Sequence, residues 1–369
     1  MKLTIQREAL IKPLQMVSGV VERRQTLPIL SNILMEVSDH QLLMTATDLE
    51  VEMSIELVLA EQSKCETGKI TIPARKFMDI CRALPDDAVI DLAIDGDRAI
   101  VRAGKSRFVL STLVADDFPG IDANKDILEF AMPQLDLKQA IERTQFAMAH
   151  QDVRYYLNGM LLEISSDALR LVATDGHRLA LCDQGLDINN KENQQVIIPR
   201  KGVMELARLL EESDSVAKLQ LGSNYIRVNT DGISFTSKLI DGRFPDYQNV
   251  VPDGGDKIVI CDKETLRQAL SRASILSNEK YRGVRLQFST GLLRIFAHNP
   301  EQEEAEEEVI IDYSGANLEI GFNVTYLMDA VSACTSENVS LSLSDANSCC
   351  MIQPQGSTGC KYVVMPMRL

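Results

Sequence analysis

The chain has 369 residues, a formal net charge of −15, no Trp and 5% aromatic residues. That length allows two to three domains with sizeable cores, and the acidic balance, taken as an average over the surface, argues against nucleic acid. The opening MKLTIQREAL has no apolar signal core and no apolar run reaches about 18 residues, so neither secretion nor membrane insertion is indicated and a cytoplasmic location is expected.

From the first residues the hydrophobic period changes in a fixed order. Leu3 to Gln6 alternates like a strand, Leu10, Leu14 and Val17 fall on one helical face, and strand-like runs come next around Ile33, Leu43 and Met53. The order then restarts with a strand at Ile70, a helix from Arg75 to Leu84, and strands near Ile90, Ile100 and Phe108. Phe118-Pro119 reads as the start of a linker, because Pro cannot donate to a strand ladder.

The remainder of the chain repeats this stretch twice. LMTATDLEV around Asp48 returns as RLVATDGHRL around Asp175, 127 residues on, and IFAHNPEQE stands 124 further. ITIPARKFMDICRAL from Ile70, VIIPRKGVMELARLL from Val196 and IGFNVTYLMDAVSAC from Ile320 keep Met78, Met204 and Met328 in register. LIKPL at Leu10 matches LKQAI at Leu137 and LRQAL at Leu266, and Phe118-Pro119 recurs as Phe244-Pro245. The expected organisation is three copies of one domain, over residues 1–127, 128–254 and 255–369, each built of two β-α-β-β-β halves. This is an α+β fold, with helices layered on antiparallel sheets.

The ATDGHRLALC run sets Asp175 two residues from His177, residue types that can form an acid–base pair. A hydrolase using that pair is one reading. Against it, the first copy has Asp48-Leu49-Glu50 and the third Asn299-Pro300-Glu301, so the motif's shared role is in the backbone. The eight Cys show no C-x-x-C pair and no His at ligand spacing; most are expected as reduced core residues, with one of the adjacent Cys349 and Cys350 near solvent. No metal or cofactor is expected.

The charge is unevenly spread. Helix windows 7–18, 75–84, 137–148, 200–210, 263–275 and 323–334 hold 13 Lys and Arg against 6 acids, which suggests a cationic face within an anionic shell. A closed array with its helices inward would offer that face to a phosphate backbone. A scaffold that binds only proteins is the other non-enzymatic reading.

The runs TLPIL, MAHQDVRYYLNGML, ATDGHRLA, IPRKG, DGRFPDY, ILSNEK, NPEQEEAEE and the terminal YVVMPMRL extend over the whole chain, which closely resembles the bacterial DNA polymerase III β subunit family of sliding clamps. The resemblance implies a head-to-tail homodimer closed into a ring, helices lining the hole and sheets outside, that encircles double-stranded DNA without regard to sequence and catalyses nothing itself. Implied DNA contacts are Arg24, Gln151, Tyr155 and Tyr156. An implied dimer interface sets Phe108 and Leu110 against Ile275 and Leu276, with Lys76, Lys105 and Arg107 facing Glu301, Glu303, Glu304, Glu306 and Glu307. An implied hydrophobic peptide groove comprises Leu157, Thr174, Gly176, His177, Arg178, Leu179, Pro245, Val250, Asn323, Tyr326, Val363, Met365, Pro366, Met367, Arg368 and Leu369. Implied partners there are the DNA polymerase III catalytic subunit, the clamp-loader complex, translesion polymerases, mismatch-repair proteins and DNA ligase. The chain departs from the family pattern at Asn249, where Arg is frequent, and at Asn347 and Cys349 near the groove rim.

Overall fold

The computed structural model describes residues 1–21, 27–60, 63–121, 128–186, 193–252, 255–357 and 359–368. Its elements keep one order three times. In the first repeat β1 (Lys2–Gln6), α1 (Arg7–Val20), β2 (Asn32–Ser38), β3 (Gln41–Thr47) and β4 (Val51–Val58) are followed, after the short β5 (Cys65–Glu66), by β6 (Gly68–Pro73), α2 (Ala74–Ala83), β7 (Val89–Asp95), β8 (Arg98–Ala103) and β9 (Ser106–Ser111). In the second, β10 (Leu128–Pro133), α3 (Gln134–Glu142), β11 (Gly159–Ile164), β12 (Ala168–Thr174) and β13 (Arg178–Gly185) precede β14 (Gln194–Pro199), α4 (Arg200–Leu209), β15 (Val216–Leu221), β16 (Tyr225–Thr230) and β17 (Ile233–Lys238). The third runs β18 (Lys257–Asp262), α5 (Lys263–Ser274), β19 (Gly283–Ser289), β20 (Leu292–His298), β21 (Glu304–Ile310), then β22 (Leu318–Asn323), α6 (Val324–Ala333), β23 (Asn338–Leu343), β24 (Cys350–Pro354) and β25 (Cys360–Val364).

These are the six β-α-β-β-β halves that the sequence periodicity predicts. The helix α2 illustrates the local cause: Ala74, Phe77, Met78 and Cys81, at helical spacing, are buried, while Arg75, Lys76, Asp79 and Arg82 face solvent. Burying a side chain of the size of Phe77 contributes about 1.5–3 kcal/mol, more than weak intrinsic propensities supply over one turn. One expected helix is shorter than its window of 137–148. α3 stops at Glu142 and a 3-10 turn comes after it over Gln145–Ala147, because the Thr144 hydroxyl donates back to the carbonyls of Ala140 and Ile141 and competes with continued helix.

Every strand pair is antiparallel, and the pairing exchanges the halves of each repeat. The strand before the first helix joins the strands after the second (β1 with β7, β10 with β15, β18 with β23), and the strand before the second helix joins those after the first (β6 with β2, β14 with β11, β22 with β19). Each repeat therefore supplies two half-sheets of four strands. Two ladders join half-sheets of consecutive repeats: β17 on β4, with Phe235 opposite Met53, and β13 on β25, with Ala180 opposite Tyr362. Eight-stranded sheets result, in the orders β10-β15-β16-β17-β4-β3-β2-β6 and β14-β11-β12-β13-β25-β24-β23-β18. The other two sheets end in β9 and in β21, which have no neighbour on their outer side among the described residues.

Because ladders run from one repeat to the next, the backbone separates into compact units that cut through the second repeat. One unit is Met1–Leu135 with Met204–Leu239, the other Asp136–Val203 with Ile240–Leu369. Of the cysteines, six are free, and Cys349 is half-buried beside a fully buried Cys350. Cys182 and Cys360, opposite one another in the β13–β25 ladder, are joined as a disulfide; Ile55 and Ile233 stand in the corresponding places of the β17–β4 ladder. No described helix is long and apolar enough to cross a membrane.

In the first unit Glu52 on β4 accepts a hydrogen bond from the Ile121 backbone N–H at 3.0 Å and so anchors the chain beyond Phe118-Pro119. Burial, above all, raises its pKa from the ordinary 4.5, against the opposing pull of that bond and of Arg227. A carboxyl whose folded pKa is raised lends stability at low pH that is lost as pH rises through that value. Glu52→Gln should therefore unfold at higher urea than the parent at pH 7, with the gap closing as the pH falls to 4.5; equal separations of the urea midpoints at both pH values would contradict this.

Candidate functional site

The turn between β12 and β13 is built by its own side chains. Asp175 accepts from the backbone N–H groups of His177 (2.9 Å) and Arg178 (3.0 Å), Gly176 takes φ +88°, and the Thr174 hydroxyl accepts from Gly176 N–H while donating to the Arg178 carbonyl. Asp48 and Thr47 make the same bonds between β3 and β4, around Leu49 at φ +76°. In the third repeat Asn299 accepts from Glu303 N–H, one residue later. The Asp175 carboxylate is thus occupied by backbone donors and by Arg178 Nε. Among the described residues it makes no bond to the His177 ring, so the acid–base pair that a hydrolase would need is not assembled.

Beside this turn, within the second unit, lies a cavity of about 160 Å³ lined by Arg154, Leu157, Thr174, Gly176, Arg178, Leu179, Pro245, Tyr247, Val250, Val363 and Met365. Its floor is a buried cluster that includes Leu161, Val172, Leu179, Leu181, Ile197, Phe244 and Val363. Matching Ala173 to Ala46 shows why the same frame offers no such floor in the first unit. There the places of Val172, Leu179, Leu181, Ile197 and Val363 are taken by Thr45, Glu52, Ser54, Thr71 and Thr236. Thr45 and Ser54 bond each other at 2.9 Å, and Thr71 bonds Asn32 and the Leu113 carbonyl. Five substitutions turn a polar, internally satisfied sheet face into an apolar one, the composition of a small-ligand or peptide pocket.

Nine of the sixteen groove residues expected from the sequence line this cavity. His177 is exposed, and its carbonyl accepts from Met365 N–H at 2.9 Å, which holds the start of the tail. Met367 N–H donates to the Gly321 carbonyl; Pro366 and Met367 are half-buried and Arg368 is exposed, while Leu369 lies outside the described residues. Asn323 is absent from the lining and caps α6 by accepting from Thr325 and Tyr326 N–H. Tyr326 is absent too, its ring 4.5 Å beneath the Arg178 guanidinium. Two lining residues are not marked by the sequence. Arg154 lies over Gly176, where an added Cβ would stand 3.1 Å from its guanidinium, and its ion pair holds the Asp152 carboxyl down at about 2. Tyr247, two residues beyond Pro245, donates to Glu163 at 2.5 Å and accepts from Arg170, which grips Asp183 with two bonds; burial raises its pKa. The Phe-Pro repeat was its available signal. Of the departures from the family pattern, Asn249 bonds Asp246, Asn347 N–H bonds Asp345, and Cys349 packs against the floor.

The remaining expected residues occupy other surfaces. Gln151 is exposed at φ +57°, and Tyr155, 57% exposed, meets the half-buried Tyr156 edge-on with centroids 5.7 Å apart. Tyr156 packs on the groove floor, and Arg24 lies outside the described residues. Lys76, Lys105 and Arg107 are exposed, Phe108 is half-buried, and Leu110 is buried in its own sheet. Ile275 is 75% exposed and Leu276 half-buried; Glu301, Glu303, Glu304 and Glu306 are exposed, whereas Glu307 is held by two bonds from Arg272.

Three repeated α+β domains that share sheets and carry an apolar groove define a binding scaffold of the clamp class. Family models described as the DNA polymerase III beta subunit N-terminal, central and C-terminal domains match residues 1–122, 131–246 and 248–368. The beta sliding clamp of Pseudomonas putida is 57% identical and that of Escherichia coli K12 is 53% identical, each aligned over 369 residues with all of both chains covered. The sliding clamp of Pseudomonas aeruginosa, solved bound to griselimycin, superposes with a TM-score of 0.97 at 56% identity, and Caulobacter crescentus pol III beta with 0.93 at 38%, both covering all of each chain. The chain belongs to the DNA polymerase III β subunit family, the DNA sliding clamps. It is a processivity factor of replication.

Asp175→Ala strips the turn of its side-chain acceptor, leaving two backbone donors and a guanidinium to find water. The expected loss is about 1–3 kcal/mol, read as an earlier urea midpoint by tyrosine fluorescence; a midpoint equal to the parent's would show that the turn holds without it.

Proposed function

We propose that two copies close head to tail into a ring that encircles double-stranded DNA, with domain boundaries at residues 1–127, 128–254 and 255–369. Association with itself, with DNA and with DNA polymerase III follows from the family. The observation that carries the closed form is a pair of open edges: of the strands that close the six half-sheets in chain order, β4, β13, β17 and β25 pair with a neighbouring repeat, whereas β9 and β21 have no outer neighbour among the described residues. An uncapped edge is an aggregation hazard, and a heterologous contact that closes on itself removes it.

The two intramolecular ladders also supply the register. Phe235 faces Met53 and Tyr362 faces Ala180, so the same alignment carried to the third case sets Phe108 opposite Ala305 of the partner subunit. Arg107 then falls opposite the partner's Glu306, and opposite charges directly across a ladder attract. Lys76 and Lys105 add to the basic side of this contact, with the partner's Glu301, Glu303 and Glu304 on the acidic side. Phe108 and Leu110 lie near the partner's Ile275 and Leu276.

A ring retains DNA by topology, so its phosphate contacts need hold no base sequence and no fixed position. The surplus of Lys and Arg on the helices of a chain with net charge −15 suits this arrangement. Arg24, Gln151 and Tyr155 are the proposed DNA contacts, with Tyr156 shared between that surface and the groove wall. The groove takes short apolar Gln- and Leu-containing segments of the polymerase catalytic subunit, the clamp loader, translesion polymerases, mismatch-repair proteins and DNA ligase. The protein works in the cytoplasm.

Two measurements test this reading. Light scattering should give about 82 kDa, twice the 41.0 kDa chain; Arg107→Glu should shift the protein toward monomer, and Glu306→Arg in the same chain should restore the dimer. Failure of the second change to restore mass would refute the register. Deleting residues 365–369, or replacing Val172, Leu179 and Val363 by the Thr, Glu and Thr of the first unit, should abolish binding of a fluorescent polymerase-derived peptide and leave the dimer intact; retained affinity would remove the groove from this role.

A further inference from the structure

We infer that Arg178 is a positioning residue of the groove: it ties the Thr174–Arg178 turn to α6 and leaves the gripping of the occupant to the apolar walls. The inference rests on the groove being the peptide site. Although Arg178 lines the cavity, its side chain is only 13% exposed and each of its three guanidinium nitrogens has an acceptor. Nε donates to Asp175 at 3.1 Å, Nη1 to Asp329 at 2.5 Å, and Nη2 to the Phe146 carbonyl at 2.6 Å. The rings of Tyr326 and Phe146 flank it at 4.5 and 5.4 Å. A planar fork with fixed donors suits such a seat, where a flexible ammonium would not.

Asp329 and Tyr326 belong to α6, in the third repeat, whereas Asp175 and Phe146 belong to the second. The guanidinium therefore fixes the turn against a helix of the neighbouring repeat. Both groove walls hang from that turn: Leu179 comes directly after it in β13, and Met365 is held by the His177 carbonyl.

The internal repeats supply an independent argument. With Met328 matched to Met204, Tyr326 and Asp329 correspond to Gly202 and Glu205, and Arg178 corresponds to Val51. The cation, aromatic ring and carboxylate thus occur together in the repeat pair whose groove-side sheet face is apolar. In the pair whose face is polar, the cation and the ring are both missing.

The test is titration of the whole dimer with a fluorescent pentapeptide containing Gln and Leu, for Asp329→Asn, Asp329→Glu, Arg178→Met, the Asp329→Asn/Arg178→Met double variant, and Leu179→Glu as a groove control. Asp329 lies outside the cavity lining and bonds Arg178, so a change there tests the tie to α6 and not a contact inside the cavity. Asp329→Asn and Arg178→Met should each weaken binding about tenfold, the double variant no more than the worse single, and Asp329→Glu should restore most of the affinity. Parent-like binding by Asp329→Asn beside a loss in Arg178→Met would mean that Arg178 grips the peptide itself and would overturn the inference. So would additive losses, an Asp329→Glu as weak as Asp329→Asn, or a parallel fall in dimer mass or circular-dichroism signal. Unchanged affinity in Leu179→Glu would instead show that the groove is not the site, which removes the premise.

Discussion

The structure depends on one constraint, that the last strand of a half-sheet finds its partner in the half-sheet of the neighbouring repeat. Each repeat exchanges its halves, so that the chain always presents two such ends, and the ladders β17 on β4 and β13 on β25 close four of them. Backbone donors and acceptors along a strand require partners, and here they find them in the next repeat. The compact units consequently cut through the second repeat instead of falling between repeats. Among the described residues β9 and β21 keep their outer edges unpaired, so a partner strand added there would continue the same fold.

On that common frame, side-chain chemistry alone distinguishes one junction from another. Thr45 and Ser54 bond each other, Thr71 donates to the Leu113 carbonyl, Glu52 accepts from Ile121 N–H and Thr236 accepts from Arg227 Nε, which leaves a polar face. Val172, Leu179, Leu181, Ile197 and Val363 at the matching places have nothing to donate or accept, and form an apolar floor. Tyr247 and Arg170 brace that floor from beside it, through Glu163 and Asp183. The turn that resembles a catalytic motif serves geometry, since its Asp and Thr make the same backbone bonds as Asp48 and Thr47 of the first repeat.

Electrostatics obey the same division of labour. Several basic helix residues are already partnered, as Lys12 is by Glu211, Arg267 by Glu264 and Arg272 by Glu307. Exposed pairs of this kind contribute little to stability. They temper the positive charge of the helices, which suits a protein that must hold DNA without stopping on it, since phosphate contacts strong enough to fix a position would oppose sliding.

The sequence by itself determined the number of repeats, the order of strands and helices in each, and the residues that bury, because periodicity and turn chemistry are local and survive in a single chain. It also marked nine of the residues that line the cavity, Leu157, Leu179, Pro245 and Val363 among them, since they stand in runs that resemble a known family. Other properties were decided only by tertiary structure. The exchange of half-sheets, the ladder between Ala180 and Tyr362, and the end of α3 at Glu142 depend on contacts between residues far apart or on a hydroxyl choosing a backbone acceptor. Tyr247 and Arg154 joined the lining, and Asn323 and Tyr326 left it, for the same reason. A side chain's role is set by what lies across from it, and for Arg178 that is Asp329, 151 residues away in the chain.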